Sequence, residues 1–196
     1  MIIKIHILLK NFCLSACLCG VLLWLSPFSG YADEFAAEVK QAEITLQGNS
    51  YVLSADIVYQ LSENAKEALQ NGVPLFWDIH VKILQHRDML WNKTLADLVI
   101  RYRIQYHALL NMYRIRNEGN GEVYNFSTLS AALDLMSTVR DFRVLEKAKL
   151  DPEKQFLYAV KVSFDREALP LPLRPIAYVD PQWYLSSEWT LWPLKK

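Results

Sequence analysis

The sequence predicts a mainly β domain: an antiparallel sandwich, Ig-like or a partly closed barrel, of about eight strands with two short helices. Three observations predict it. Apolar and polar residues alternate with period two through most of residues 33–196, the mark of a strand that hides one face. Short turn-forming clusters separate the alternating runs, which favours antiparallel neighbours. Two short stretches switch to a helical period, too little helix to cover so much apolar strand surface, so a second sheet has to cover it.

The clearest strand places Tyr51, Leu53, Ala55, Ile57, Tyr59 and Leu61 on one face and Ser54, Asp56 and Gln60 on the other. Gln47-Gly48-Asn49-Ser50 precedes it, with Ile44 and Leu46 before that, a tight hairpin by its Gly-Asn pair. A third strand aligns Leu75, Trp77, Ile79, Val81 and Ile83; a fourth aligns Ala96, Leu98, Ile100, Tyr102, Ile104 and Tyr106. Apolar parity then changes between Met112 and Tyr113, which predicts a bulge or bend near Ala108 to Asn111. Asn117-Glu118-Gly119-Asn120-Gly121 reads as a turn before a short strand through Phe126. Later strands cover Phe142 to Glu146, Phe156 to Phe164 and a stretch between Tyr184 and Trp192.

Ser62 caps a helix over Glu63 to Asn71 that stops at Gly72 and Pro74. Ser127 caps a second over Thr128 to Thr138, whose Leu129, Ala132, Leu133 and Met136 share a face. Around each helix the order is strand, strand, helix, strand, strand, which raises an internal repeat of two ββαββ halves, Val39 to Ala108 and Leu109 to Asp165. Any strand-to-helix junction favours a serine cap, so this order does not by itself require a duplication.

The amino-terminal residues read as a secretion signal over 1–32: Lys4 and Lys10, an apolar run from Asn11 to Leu25, then Gly30 and Ala32 as small residues at a cleavage site. The run, about 14 residues, is shorter than the roughly 20 needed to span a bilayer. An uncleaved inner-membrane anchor and a lipoprotein acylated at Cys17 are the alternatives. Cys13, Cys17 and Cys19 all fall in this segment. The processed chain, 33–196, would therefore be one β-rich domain without disulfide, thiol nucleophile or cysteine-bound metal. Without Lys4 and Lys10 it carries 19 basic and 21 acidic residues, a balance that argues against nucleic acid.

His80, His86 and His107 remain, and no metal or other cofactor is expected. His80 and His86 on one continuous strand would stand about 20 Å apart, too far for one metal ion. Asp78, His80 and Lys82 form the polar face of the third strand; Arg101, Arg103 and Gln105 form that of the fourth. If the two pair, Asp78 meets Arg101 or Arg103. The face is then an anion groove, with Arg114 and Arg116 alongside, or a solvated surface held by charge pairs. No Gly-x-Ser-x-Gly, phosphate loop or His-Glu-x-x-His occurs. The turn Asp88-Met89-Leu90-Trp91-Asn92-Lys93 sets three large apolar residues where polar ones are usual. Facing outward they make a partner or membrane contact; folded back they extend the core. Leu169-Pro170-Leu171-Pro172-Leu173-Arg174-Pro175 reads as an extended crossover or docking edge, and Trp183, Trp189 and Trp192 as closing the core beside the first strand.

In their order, Tyr51 to Leu61, Ala68-Leu69-Gln70-Asn71-Gly72-Val73-Pro74-Leu75, Arg101-Tyr102-Arg103-Ile104-Gln105-Tyr106-His107-Ala108-Leu109, Tyr113-Arg114-Ile115, Leu169-Pro170-Leu171-Pro172 and the closing Trp183 to Trp192 resemble the bacterial domain of unknown function 4390 family. The resemblance implies an exported proteobacterial protein, with a link to signalling, and no assigned activity. In that family the apolar hairpin usually carries a run of tryptophans; here Trp91 stands with Met89 and Leu90.

The expectation is a periplasmic or secreted, non-catalytic envelope domain. It would bind a protein or membrane component through Met89, Leu90 and Trp91 and through Arg101 and Arg103, beside the charged Asp78 and His80. The alternatives are a periplasmic hydrolase assembled from Asp78, His80, His107 and nearby arginines, and a carrier with a ligand between its sheets.

Overall fold

The hairpin at Gly48-Asn49 forms as its sequence predicts. Gly48 takes φ +60°, a left-handed conformation that costs glycine little, and joins β1 (Ala37–Gln47) to β2 (Ser50–Tyr59). The computed structural model describes residues 36–195, so the expected signal segment and its cysteines lie outside the described residues.

Helix α1 (Glu63–Gln70) starts where Ser62 Oγ accepts the Ala65 N–H at 3.2 Å, and it buries Ala65, Ala68 and Leu69. Strands β3 (Leu75–Gln85) and β4 (Lys93–His107) pair so that Asp78 opposes Arg101, polar against polar. The expected bulge after β4 is a complete reversal. Ala108–Leu110 form a 3-10 turn, Asn111 takes φ +50°, and β5 (Met112–Asn117) runs back antiparallel to β4. Strand β6 (Val123–Phe126) leads to α2 (Leu129–Ser137). Its cap is Thr128, whose Oγ1 accepts the Ala131 N–H, rather than the neighbouring Ser127. Strands β7 (Thr138–Glu146), β8 (Phe156–Phe164) and β9 (Thr190–Pro193) follow.

The proline segment differs from its extended expectation. The Leu173 N–H donates to Pro170 O at 2.9 Å, and Pro175 stands in the first turn of α3 (Arg174–Val179), where a missing N–H breaks no helix bond. The short helix lacks an apolar period long enough to read from sequence.

Among the described residues the strands form two antiparallel sheets without closing into a barrel. Their orders are β1-β2-β7 and β6-β5-β4-β3-β8-β9. The element order strand, strand, helix, strand, strand does occur twice. The pairing does not repeat: β3 and β4 are partners, whereas β7 and β8 join different sheets. Tyr51, Leu53, Ala55, Ile57 and Tyr59 of β2 and Leu75, Trp77, Ile79, Val81 and Ile83 of β3 are all buried. Trp77 packs edge-on against Tyr59 at 5.7 Å and against Phe164 at 5.0 Å, while its Nε1–H donates to Leu185 O at 3.1 Å. Trp183 stacks on Phe164, and Trp192 stacks on Tyr158, whose hydroxyl donates to Ala42 O of β1. Two of the three late tryptophans therefore do pack against core residues.

Met136→Ala empties a fully buried site on α2 and is expected to lower unfolding free energy by about 2–5 kcal/mol, read as an earlier urea midpoint. Leu109→Ala, at an exposed turn, should shift the same measurement by no more than about 0.5 kcal/mol.

Candidate functional site

Strand alternation that fills the core also projects Phe76, Asp78, His80 and Lys82 from β3 onto the outer face of the larger sheet. Arg101 and Arg103 stand beside them on β4, and Lys161 and Ser163 on β8. The Arg101 guanidinium donates to Asp78 Oδ2 at 2.9 Å and to Asp165, and lies over the Phe76 ring. Arg103 pairs with Glu118 at 3.1 Å, which also meets Arg116 at 3.5 Å. Arg114 donates to Asn125 Oδ1. The arginines on this face are thus held by acids and amides of the domain itself, and the cross-strand pairing expected of Asp78 is made with Arg101.

Asp78 is the strained member. Burial pushes its carboxyl above the usual carboxylate range; the Arg101 and His80 charges pull the other way without offsetting the lost hydration. Its Oδ1 is buried without a hydrogen-bond partner among the described residues. Arg101 is itself disfavoured by burial, but the hydrogen bond to Asp165 and the charges of Asp78 and Asp165 more than compensate.

His80 Nε2 lies 2.8 Å from Ser163 Oγ, and Trp189 leans over the ring at 6.1 Å and over Lys82 Nζ at 4.9 Å. Sequence reading missed Ser163, Asp165 and Glu118. Each comes from another strand or from a loop, and no spacing along the chain signals the meeting. His107 does not join this cluster: it is six residues from Arg101 along β4, about 20 Å away, and its Nε2 is buried and unpaired among the described residues. His86 instead faces Asp88 at 3.4 Å. The described residues hold no group of three or more His, Cys, Asp or Glu arranged for a metal ion.

The hairpin between β3 and β4 is the second feature. Its strands end at Gln85 and restart at Lys93, leaving a loop whose Met89, Leu90 and Trp91 are 97%, 68% and 92% exposed. Of the two readings open from sequence, the tip facing water is the one found. A second apolar turn, Leu109 and Leu110, is exposed at the other end of β4. The larger grooves sit elsewhere. About 720 Å³ lies between β1 and β9, lined by Ile44, Leu46 and Trp192; about 670 Å³ lies between β7 and the β5–β6 turn, lined by Tyr102, Asn117 and Arg140. Both run along an edge strand of the smaller sheet.

Fold and site together define a β-sandwich module with a charge-paired sheet face and a protruding apolar hairpin. The chain belongs to the family described as Domain of unknown function (DUF4390), whose model matches residues 34–193. No curated protein and no solved structure matches it. No helix among the described residues is long and apolar enough to cross a membrane.

The Asp78 carboxyl should titrate above ordinary aspartates in a carbon-detected NMR series, and Arg101→Met should raise it further by removing the opposing charge. Because the folded state holds this proton more tightly than the unfolded chain, Asp78 favours folding most at low pH. That contribution declines as pH rises through the titration, so Asp78→Asn should flatten the step in stability against pH.

Proposed function

We propose that this is a non-catalytic envelope domain, exported through a cleaved signal at 1–32, that docks onto a protein or membrane component with its β3–β4 hairpin. The observation that carries the reading is the exposure of Met89, Leu90 and Trp91 together. Three adjacent large apolar side chains in water are costly to keep, and contiguous exposed apolar surface marks contact sites. Trp and Met are enriched where interfaces form. The Arg101/Arg103 face plays a lesser part than the residue types suggest. Its arginines already have carboxylate partners, and an incoming anion would have to displace them. That face braces the hairpin, and the tip makes the contact.

Retention of the purified protein on washed cell envelopes tests this. Trp91→Asp should retain at least roughly tenfold less with an unchanged thermal midpoint. Equal retention of the two proteins would remove the tip from the account.

A second reading is favoured by one contact: Ser163 Oγ and His80 Nε2 stand at a nucleophile–base distance. A hydrolase built there would be centred on Ser163, with Asp78 too committed to Arg101 to orient the imidazole. Covalent labelling by a fluorophosphonate, lost in both Ser163→Ala and His80→Gln, is the expected sign; an unlabelled wild type refutes the hydrolase.

A further inference from the structure

We propose that the Met89-Leu90-Trp91 tip inserts into the headgroup region of an anionic lipid bilayer, with the basic residues gathered at that end of the domain resting against lipid phosphates. This rests on the docking reading above and names its partner class.

Backbone hydrogen bonds tie four segments together at one end of the sandwich. The His86 N–H donates to Gln155 O at 2.9 Å, the Lys147 N–H to Asn49 O at 3.0 Å and the Leu194 N–H to Phe156 O at 2.9 Å. The tip loop, the 147–155 loop, the β1–β2 turn and the end of β9 therefore share this end. They bring Arg87, Lys93, Lys147, Lys149, Lys154 and Lys195 to it, with the acids Asp88, Glu146, Asp151 and Glu153. Lys154 is taken by Asp151 at 3.2 Å, and Asp88 faces His86. The other five cations have no ion pair among the described residues, in contrast to Arg101 and Arg103 on the sheet face. Taking these six bases and four acids from the 18 and 19 of the described residues 36–195 leaves 12 bases against 15 acids elsewhere among them. Positive charge is therefore concentrated where the apolar tip projects from a domain that is otherwise acidic.

That combination fits a lipid surface better than a protein pocket. A convex tip of Trp, Leu and Met can sink about 5–10 Å into the boundary between headgroups and acyl chains without needing a shaped receptor. Tryptophan favours that interface because its ring is apolar and its N–H remains hydrated. Flanking lysines then lie at phosphate depth, each strengthening attachment to an anionic leaflet about fivefold, equivalent to about 1 kcal/mol. The chain contains its own comparison: Leu109 and Leu110 are a second exposed apolar turn, but residues 102–123 around them contain no lysine, Arg103 and Arg116 there are occupied by Glu118, and Arg114 is held by Asn125.

The test is sedimentation of the protein with vesicles of phosphatidylcholine, with and without phosphatidylglycerol, comparing wild type, Trp91→Asp, Lys93→Gln and Leu109→Asp. Any contribution from the amino-terminal segment is common to all four. Expected are binding to the anionic vesicles, a loss of roughly tenfold or more for Trp91→Asp, a loss of about fivefold for Lys93→Gln, and no loss for Leu109→Asp. High salt, which shortens screening from about 10 Å to about 3 Å, should weaken binding. Equal binding by wild type and Trp91→Asp, or indifference to phosphatidylglycerol, overturns the proposal. If vesicles show no tip dependence while retention on cell envelopes still falls with Trp91→Asp, the lipid assignment fails and docking onto an envelope protein stands.

Discussion

Trp77 is the residue on which the sandwich closes. It projects from near the start of β3 into the space between the sheets, meets Tyr59 of the smaller sheet on one side and Phe164 of its own sheet on the other, and donates its single N–H to Leu185 O. A buried indole of this size contributes much apolar area, but its N–H is expensive to bury unsatisfied. The segment after α3 is therefore obliged to pass where Leu185 O can receive that hydrogen. Once it does, Trp183 falls onto Phe164, and Ser186 and Ser187 supply hydroxyls that accept the Phe164 and Val162 N–H groups along β8. One aromatic side chain thus bridges the two sheets and anchors residues 183–187 beside β8.

With one side of each sheet committed to that core, chemistry is left to the outer face and to the hairpin ends. The outer face of the larger sheet is rich in charge, yet its arginines are locked by Asp78, Asp165 and Glu118. Partly dehydrated ions of opposite sign settle together because each alone would be costly. Even so, Asp78 keeps one oxygen without a partner among the described residues and a carboxyl that holds its proton more strongly than usual. Such a face stabilises register between β3 and β4 more readily than it captures a ligand. The ends of the hairpins obey a different rule, since nothing in the fold requires Met89, Leu90 and Trp91 to be apolar. The DUF4390 family model matches residues 34–193, so both features lie inside the family's own segment.

Much of the fold was legible because period-two alternation is local. The faces of β2, β3 and β4, the Gly48-Asn49 hairpin and the Ser62 cap of α1 all follow from neighbouring residues. The Asp78–Arg101 pairing was legible too, since matching polar faces leaves few registers. Errors arose where two neighbours could do the same job, as with Ser127 and Thr128, or where a parity change could mean a bulge or a reversal, as at Ala108 to Asn111. The segment Leu169 to Pro175 failed as an extended crossover because a proline fits a helix's first turn as well.

The sequence by itself determined which side of each strand is buried, the antiparallel hairpins and the odd apolar content of the β3–β4 turn, because all depend on residues close along the chain. Only the tertiary structure decided that β7 leaves β8 to join β2, that Ser163 reaches His80 while His107 stays far away, and that Trp91 stands in water. Those outcomes depend on which strands become neighbours across the sheets. That choice is made by the packing of whole faces around Trp77, and no spacing within the chain records it.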